Sequence, residues 1–337
     1  MKDRHASPTP PERSSFASMT RRSWFASLFF PFSFLMCRTI PESNRKLAFT
    51  PARFEVPGVT GPLRVLVLGD FGWGGKGQMA VAKSIARIHA QAPLHFGITV
   101  GDNFYQDGVY GVDDKKWAER WEAPYAELGL VFYPTLGNHD YYGNVQAQLD
   151  YQSPSKTWHL PARQYEFRVG DTAFFALDTL DPNPEQIRWF ADAFASSDAK
   201  WKIVYGHHPI YSAGKHGDTP WLEKELLPLI RGKAVAYVAG HDHDMQHLKP
   251  VDGTHFLVSG GGGARLRQPK RDPRSLFGEG IFGFTVLEIN DAQVDVVMYD
   301  GNGDRIYNVG LPNPQQLEAK AIPVEGWANV PLVPAEV

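Results

Sequence analysis

The apolar runs of strand length in this chain repeatedly stop at a residue that can hold a metal ion or a phosphate. Leu63–Leu68 (LRVLVL) stops at Gly69-Asp70, residues 95–100 at Gly101-Asp102, and residues 130–136 at Gly137-Asn138-His139-Asp140. Residues 201–205 run into Gly206-His207-His208, and residues 234–238 lead to Gly240-His241-Asp242-His243. Gly-Asp after a strand is a common turn, so Asp70 alone would mean little. A turn needs Gly and Asn but has no need of His and Asp beside them, which makes the later blocks more telling. Independent turns would not all carry ligand-type residues at the same point of their strands. In layered α/β folds ligands bind beyond the carboxyl ends of the strands, so these residues are expected to converge on one edge.

Helical patterns separate the runs. Met79, Val81, Ala82, Ile85, Ala86 and Ile88 lie at helical spacing within residues 78–90. Asp113 or Asp114 can cap a helix through Trp117 and Trp121, and residues 184–194 and 221–230 read as further helices. Residues 164–169 and 172–177, joined by Gly170-Asp171, read as a hairpin. The strands expected afterwards are 254–259, 281–290, 293–299 and 304–309. Alternation followed by a strand-rich end predicts an α/β fold with two packed sheets. No Pro/Ser-rich linker interrupts residues 60–310, so a single domain over 60–311 is expected, followed by a Pro-rich, loosely attached tail over 312–337.

Composition narrows the chemistry. The chain has 337 residues, 43% of them hydrophobic, enough for a large core. Its net charge of −3, with no run of five basic residues, disfavours a nucleic-acid binder. The one cysteine, Cys37, excludes intrachain disulfides and thiolate-rich zinc sites. Asp, Asn and His without Cys suit one or two hard or borderline metal ions. Two metals bridged by a carboxylate suit phosphoester hydrolysis.

Residues 1–50 do not read as part of the domain. A polar, Ser/Pro-rich start is expected to be disordered, and Arg21-Arg22 then precedes an apolar run over 24–37 that Pro31 interrupts. That run is short for a bilayer span, and its layout is that of an export signal, loosely of the twin-arginine kind. Export to a periplasmic or extracellular space is therefore expected, ahead of membrane tethering or an uncleaved cytosolic tail. Translation could also begin at Met19, which would leave an export-like leader.

Taken in order, Gly69-Asp70-Phe71-Gly72, Gly101-Asp102-Asn103-Phe104-Tyr105, Gly137-Asn138-His139-Asp140, Gly206-His207 and Gly240-His241-Asp242-His243 closely resemble the motif blocks of purple acid phosphatases. These enzymes lie within the calcineurin-like metallophosphoesterase superfamily, and the likeness is to the small tartrate-resistant type. It runs from about Arg64 to Leu311 and includes Gly143-Asn144-Val145 and Gln246-His247-Leu248. The resemblance implies an α/β/β/α sandwich of two mixed sheets flanked by helices. It also implies an acid phosphatase acting on small phosphomonoesters, with a metal-bound hydroxide as nucleophile and a histidine as general acid. The competing readings are a phosphodiesterase or nucleotide-directed hydrolase on the same scaffold, and a metal- or phosphate-binding protein without turnover.

By that resemblance Asp70, Asp102, Tyr105 and His243 would hold iron(III). Asp102, Asn138, His207 and His241 would hold a divalent ion, either iron(II), zinc or manganese, with Asp102 bridging. A tyrosinate with two carboxylates is a hard anionic set, while two imidazoles and an amide oxygen carry less charge. His139 and His216 would contact the substrate phosphate and protonate the leaving group, with Asp140 orienting His139. A solvated loop position is the plainer reading of His216. His208 departs from the tartrate-resistant pattern and is expected to pack. Animal members carry a long loop over the metals, whereas here residues 179–184 are too few to form one, so an open site is expected. A monomer without a stable membrane span in the mature form is also expected. Residues 72–77 (GWGGKG) look like a phosphate loop but lack the Ser/Thr after Lys76. Residues 260–263, four glycines, are expected to let the backbone pass close to the metal edge.

Overall fold

The structure is a computed structural model and describes residues 39–59, 61–180 and 182–315. In chain order its strands are β1 (Ala52–Glu55), β2 (Leu63–Leu68), β3 (Phe96–Val100), β4 (Phe132–Thr135), β5 (Tyr165–Val169), β6 (Thr172–Ala176) and β7 (Trp201–Tyr205). They continue as β8 (Ala236–Ala239), β9 (Met245–Val251), β10 (Thr254–Ser259), β11 (Ser275–Glu279), β12 (Gly283–Ile289), β13 (Val294–Asp300) and β14 (Arg305–Leu311). One sheet has the order β1-β5-β6-β7-β8-β10-β9-β11, the other β14-β13-β12-β2-β3-β4.

Alternation along the strands of the first sheet shows how the layers stack. Phe174 and Ala176 of β6, Ile203 and Tyr205 of β7, and Val238 of β8 join the core shared with β2 and β3. Their neighbours Phe175, Val204 and Tyr237 enter a second cluster with Phe190 and Phe194 of the helix Pro184–Ser196. Successive residues of a strand point to opposite faces, so this sheet lies between the other sheet and its own helices. On the far side, Val81, Ile85 and Ile88 of the helix Lys76–Gln91 pack onto the core of the second sheet. Four layers result, as the sequence implied.

Strand direction then gathers the site. β2, β3 and β4 pair in parallel, with Leu68 opposite Thr99 and Val100 opposite Thr135. β7 and β8 are parallel as well, with Tyr205 opposite Val238. The loops carrying Asp70, Asp102 and Asn138 therefore leave one edge together, and those carrying His207 and His241 leave a second edge facing it.

Three expectations need correction. Residues 39–50, assigned above to the disordered leader, are packed on the domain. Asn44 is buried, its Nδ2 donates to the carbonyls of Tyr141 and Gly143, and its Oδ1 accepts from Val145 N. One buried amide can fasten a segment that has no apolar periodicity, which is why composition missed it. At the other end Asn313, placed in the loose tail, is buried and donates to Lys200 O at 2.8 Å. The helix expected over 221–230 is two pieces, Pro220–Glu225 and Leu227–Ile230, because Pro228 cannot donate into a continuous ladder. The export-signal stretch and residues 316–337 lie outside the described residues. No helix among the described residues is long and apolar enough to cross a membrane.

Candidate metal centre

Asp70, Asp102 and His241 each turn sharply off a strand end. Their φ values are 56°, 52° and 70°, the left-handed region that costs a non-glycine residue about 1 kcal/mol or more. Of the four described non-glycine residues with positive φ, these three lie at this edge, so the strain is concentrated where the ligand-type side chains meet. Gly137 is required by contact: a Cβ there would fall 2.2 Å from both the backbone N and Oδ1 of Asp102. Gly260 is required likewise, since its Cβ would fall 1.9 Å from Asp242 O. The glycine run does pass its backbone through the metal edge.

Two groups of ligand atoms converge here. The Tyr105 hydroxyl lies 2.9 Å from Asp70 Oδ1, 2.8 Å from Asp102 Oδ2 and 3.1 Å from His243 Nε2. In the second group His207 Nε2 lies 3.1 Å from Asn138 Oδ1, 3.1 Å from His241 Nδ1 and 3.5 Å from Asp102 Oδ1. Asp102 thus gives one carboxylate oxygen to each group. The structure brings together all seven residues that the resemblance named as ligands.

The donor chemistry fits cations at both places. One phenolic proton cannot serve two carboxylates at once. Burial, and then the charge of Asp102, push the Asp70 carboxyl well above the usual carboxylate range. Burial pushes Tyr105 up too, reinforced by Asp102 and Asp70. For Asp102 burial works upward, but His207 and His139 outweigh it and hold the carboxyl below its ordinary value. Burial holds His243 down to about 4, and it holds His241 well below the usual imidazole range, aided by His207. Both rings are therefore in the neutral form that a metal needs. A cation shared by Asp70, Asp102 and Tyr105 would offset the repulsion that these shifts record.

Neighbouring carbonyls orient the rings. His207 Nδ1 is 2.9 Å from Val100 O, and His243 Nδ1 is 2.8 Å from Arg265 O. A carbonyl only accepts, so each Nδ1 carries the proton and each Nε2 keeps its lone pair for the centre.

The outer residues differ from expectation in one respect. Asp140 has no side-chain bond to the His139 ring and does not orient it. Buried at 0% exposure, its carboxylate accepts from the backbone N–H groups of Asn103, Phe104 and Gly137 and from Gln148 Nε2. It therefore knits the Asp102 loop to the Asn138 loop. The His139 ring is set instead by Gln106 O, 2.7 Å from Nδ1, which leaves Nε2 4.0 Å from Asp102 Oδ2. His216 lies with its ring centroid 4.2 Å from that of His241, and its backbone N donates to Asp242 Oδ1.

His208 packs as expected, 4.4 Å from the His241 ring, with Nδ1 3.1 Å from Thr179 Oγ1. Burial holds it down to about 3. Sequence reasoning missed Thr179, whose hydroxyl accepts from the backbone N–H of both His207 and His208. It missed Arg267 too, which donates from Nη1 to His216 Nε2 at 2.8 Å. Neither residue sits in a motif block. The glycine run ahead of Arg267 was the one available hint.

Comparison with known proteins adds independent findings. Residues 63–245 match the model of the calcineurin-like phosphoesterase family. Tartrate-resistant acid phosphatase type 5 of Homo sapiens is 32% identical over 303 residues, covering 76% of this chain and 92% of that protein. Purple acid phosphatase 7 of Arabidopsis thaliana is 34% identical over 288 residues, covering 74% of this chain and 86% of that one. Among solved structures, GAP50, the anchor in the inner membrane complex of Plasmodium, superposes with a TM-score of 0.69 at 28% identity. That match covers 75% of this chain and 90% of GAP50. A purple acid phosphatase from yellow lupin seeds shares the fold at a TM-score of 0.62 and 20% identity, over 76% of this chain and 55% of that one.

Proposed function

Because this chain belongs to the calcineurin-like phosphoesterase family, and within it to the tartrate-resistant and purple acid phosphatases, we propose that it hydrolyses small phosphomonoesters at a binuclear metal centre. The observation that carries this reading is the division of the Asp102 carboxylate between two groups of ligand atoms, 2.8 Å from the Tyr105 hydroxyl and 3.5 Å from His207 Nε2. Asp70, Asp102, Tyr105 and His243 form the harder, more anionic set and suit iron(III). Asp102, Asn138, His207 and His241 suit iron(II), zinc or manganese. When bound, the two cations supply an acidified water and a clamp for the phosphoryl oxygens.

The protein's own part is positional and protonic. The Val100 and Arg265 carbonyls keep His207 and His243 turned inward. Asp140 fixes the spacing of two ligand loops. His139 Nε2, 4.0 Å from Asp102 Oδ2, is the group that in the imidazolium form hands a proton to the departing alkoxide, with His216 beside His241. Activity is therefore expected to peak on the acid side of neutrality.

Two further readings compete with it. Phosphodiester hydrolysis needs the same ligands and differs only in what the pocket admits. Binding without turnover is raised by the likeness to GAP50, whose description is that of an anchor, yet each ligand and outer-histidine position named above is filled here. Assaying 4-nitrophenyl phosphate beside its bis ester decides among the three. Preferred hydrolysis of the monoester supports the proposal, preference for the bis ester favours the second reading, and a metal-loaded protein inert to both favours the third. Export through the segment around 21–37, a domain over 60–311 extended by residues 39–50, and a monomeric state complete the proposal.

A further inference from the structure

The most cationic stretch beside the centre takes no part in the reading so far. Residues 265–271 carry Arg265, Arg267, Lys270 and Arg271 and no acid. Three backbone carbonyls tie this stretch to the site. His243 Nδ1 lies 2.8 Å from Arg265 O, Arg267 N donates to His243 O at 3.0 Å, and Lys270 N donates to Ala213 O at 2.8 Å. Arg267 thus starts at His243, a member of the first ligand group. Its guanidinium ends 2.8 Å from His216 Nε2, beside His241 of the second.

The surroundings leave that charge available. Nearby Arg274 is paired with both Asp272 and Asp218, whereas Arg267 has no ion-pair partner among the described residues. Its side-chain hydrogen bond is the donation to neutral His216, which a phosphate would replace with a bidentate contact between opposite charges.

We propose that Arg267 binds the substrate phosphate across the two ligand groups and makes the site prefer dianionic monoesters over monoanionic diesters. This rests on the phosphatase reading above. A guanidinium presents paired N–H donors that match two phosphoryl oxygens, and its attraction for a dianion is about twice that for a monoanion at equal distance. A diester keeps one unblocked charge and places a second alcohol group where Arg267 would bind.

The test compares wild type with Arg267→Gln and Arg267→Lys, each with its metal content measured. The steady-state readout is kcat/KM for 4-nitrophenyl phosphate and for its bis ester, and the binding readout is calorimetry with inorganic phosphate. Arg267→Gln should lower monoester kcat/KM by about 10-fold or more and diester kcat/KM by under about 3-fold, with phosphate binding weakened about 10-fold. Arg267→Lys, which keeps the charge but not the fork, should fall between. Equal losses on both esters, or unchanged phosphate affinity, would overturn the assignment. If Arg267→Gln does not fold, the lysine variant alone decides by the same two readouts. A wild type inert to both esters would sink the phosphatase reading instead, and calorimetry would still report whether Arg267 binds phosphate.

Discussion

Tyr105 is the residue on which the electronic character of the proposed centre would depend. Its hydroxyl is in reach of two carboxylates and an imidazole at once, and it is the one phenol the proposed ligand set includes. Phenolate bound to iron(III) absorbs visible light, so the purified protein should be purple or violet. Tyr105→Phe should lose that band while keeping much of its metal, and iron-loaded wild type without a visible band would refute the ligand assignment. His139 is testable through the leaving group. With Nδ1–H donated to Gln106 O, His139 can give a proton from Nε2 only as the imidazolium, the acid form that the proposal assigns to it. His139→Ala should cut kcat by about 10²-fold on an alkyl phosphate and by less on an activated aryl phosphate. Equal losses on the two substrates would count against the acid role. Residue types at the strand ends suggested a convergent set, and the resemblance named the seven residues that the structure brings together. Asp140 was misread because a carboxylate next to a histidine in sequence need not face it. Its actual partners, at Asn103, Phe104 and Gly137, are backbone groups that no residue pattern reveals.

Elements were legible in proportion to their burial. β2, β7 and β10 stand where their apolar runs predicted them, and each is buried along nearly its whole length. β1, β9 and β11 were not foreseen. β1 alternates half-buried with exposed residues, and β11 is the exposed rim of its sheet. β9 carries Gln246, His247 and Lys249, polar side chains that mask a strand whose first half is buried. The connection from β6 to the helix Pro184–Ser196 bears on access. β6 ends at Ala176 and the helix starts at Pro184, and Thr179 is committed to the backbone of His207 and His208. So short a connection, with Pro182 within it, is expected to leave the centre open. Full turnover is therefore expected from the uncut chain, and limited digestion within 179–184 should leave kcat unchanged. A rise of several-fold on cleavage would show that a covering segment exists.

At the scale of the molecule, acid activity and acid stability pull apart. His247 on β9 and His255 on β10 are 2.9 Å apart, and His247 also meets the Tyr307 hydroxyl on β14 at 2.8 Å, across the two sheets. Burial holds His247 down to about 3, helped by His255, and holds His255 down to about 4. Unfolded, both imidazoles would titrate near 6.5, so below that pH the unfolded chain binds more protons than the folded one. Their contribution is complete above about pH 6.5 and is lost as pH falls toward about 4 and below. The melting temperature should drop over that window, and His255→Gln should make the drop shallower. A variant with the same pH slope as wild type would rule out this pair as the source. The layer order and the gathering edge were legible because parallel strands place their carboxyl ends together. The seam between the sheets was not, since it joins residues far apart in the chain. The account as a whole stands on two metal ions sharing Asp102, and phosphate release titrated against added metal tests that directly. Chelator-stripped protein given iron and then zinc should stay nearly inactive through the first equivalent per chain and reach full monoesterase activity at the second. Full activity at one equivalent, or none at two, would contradict it.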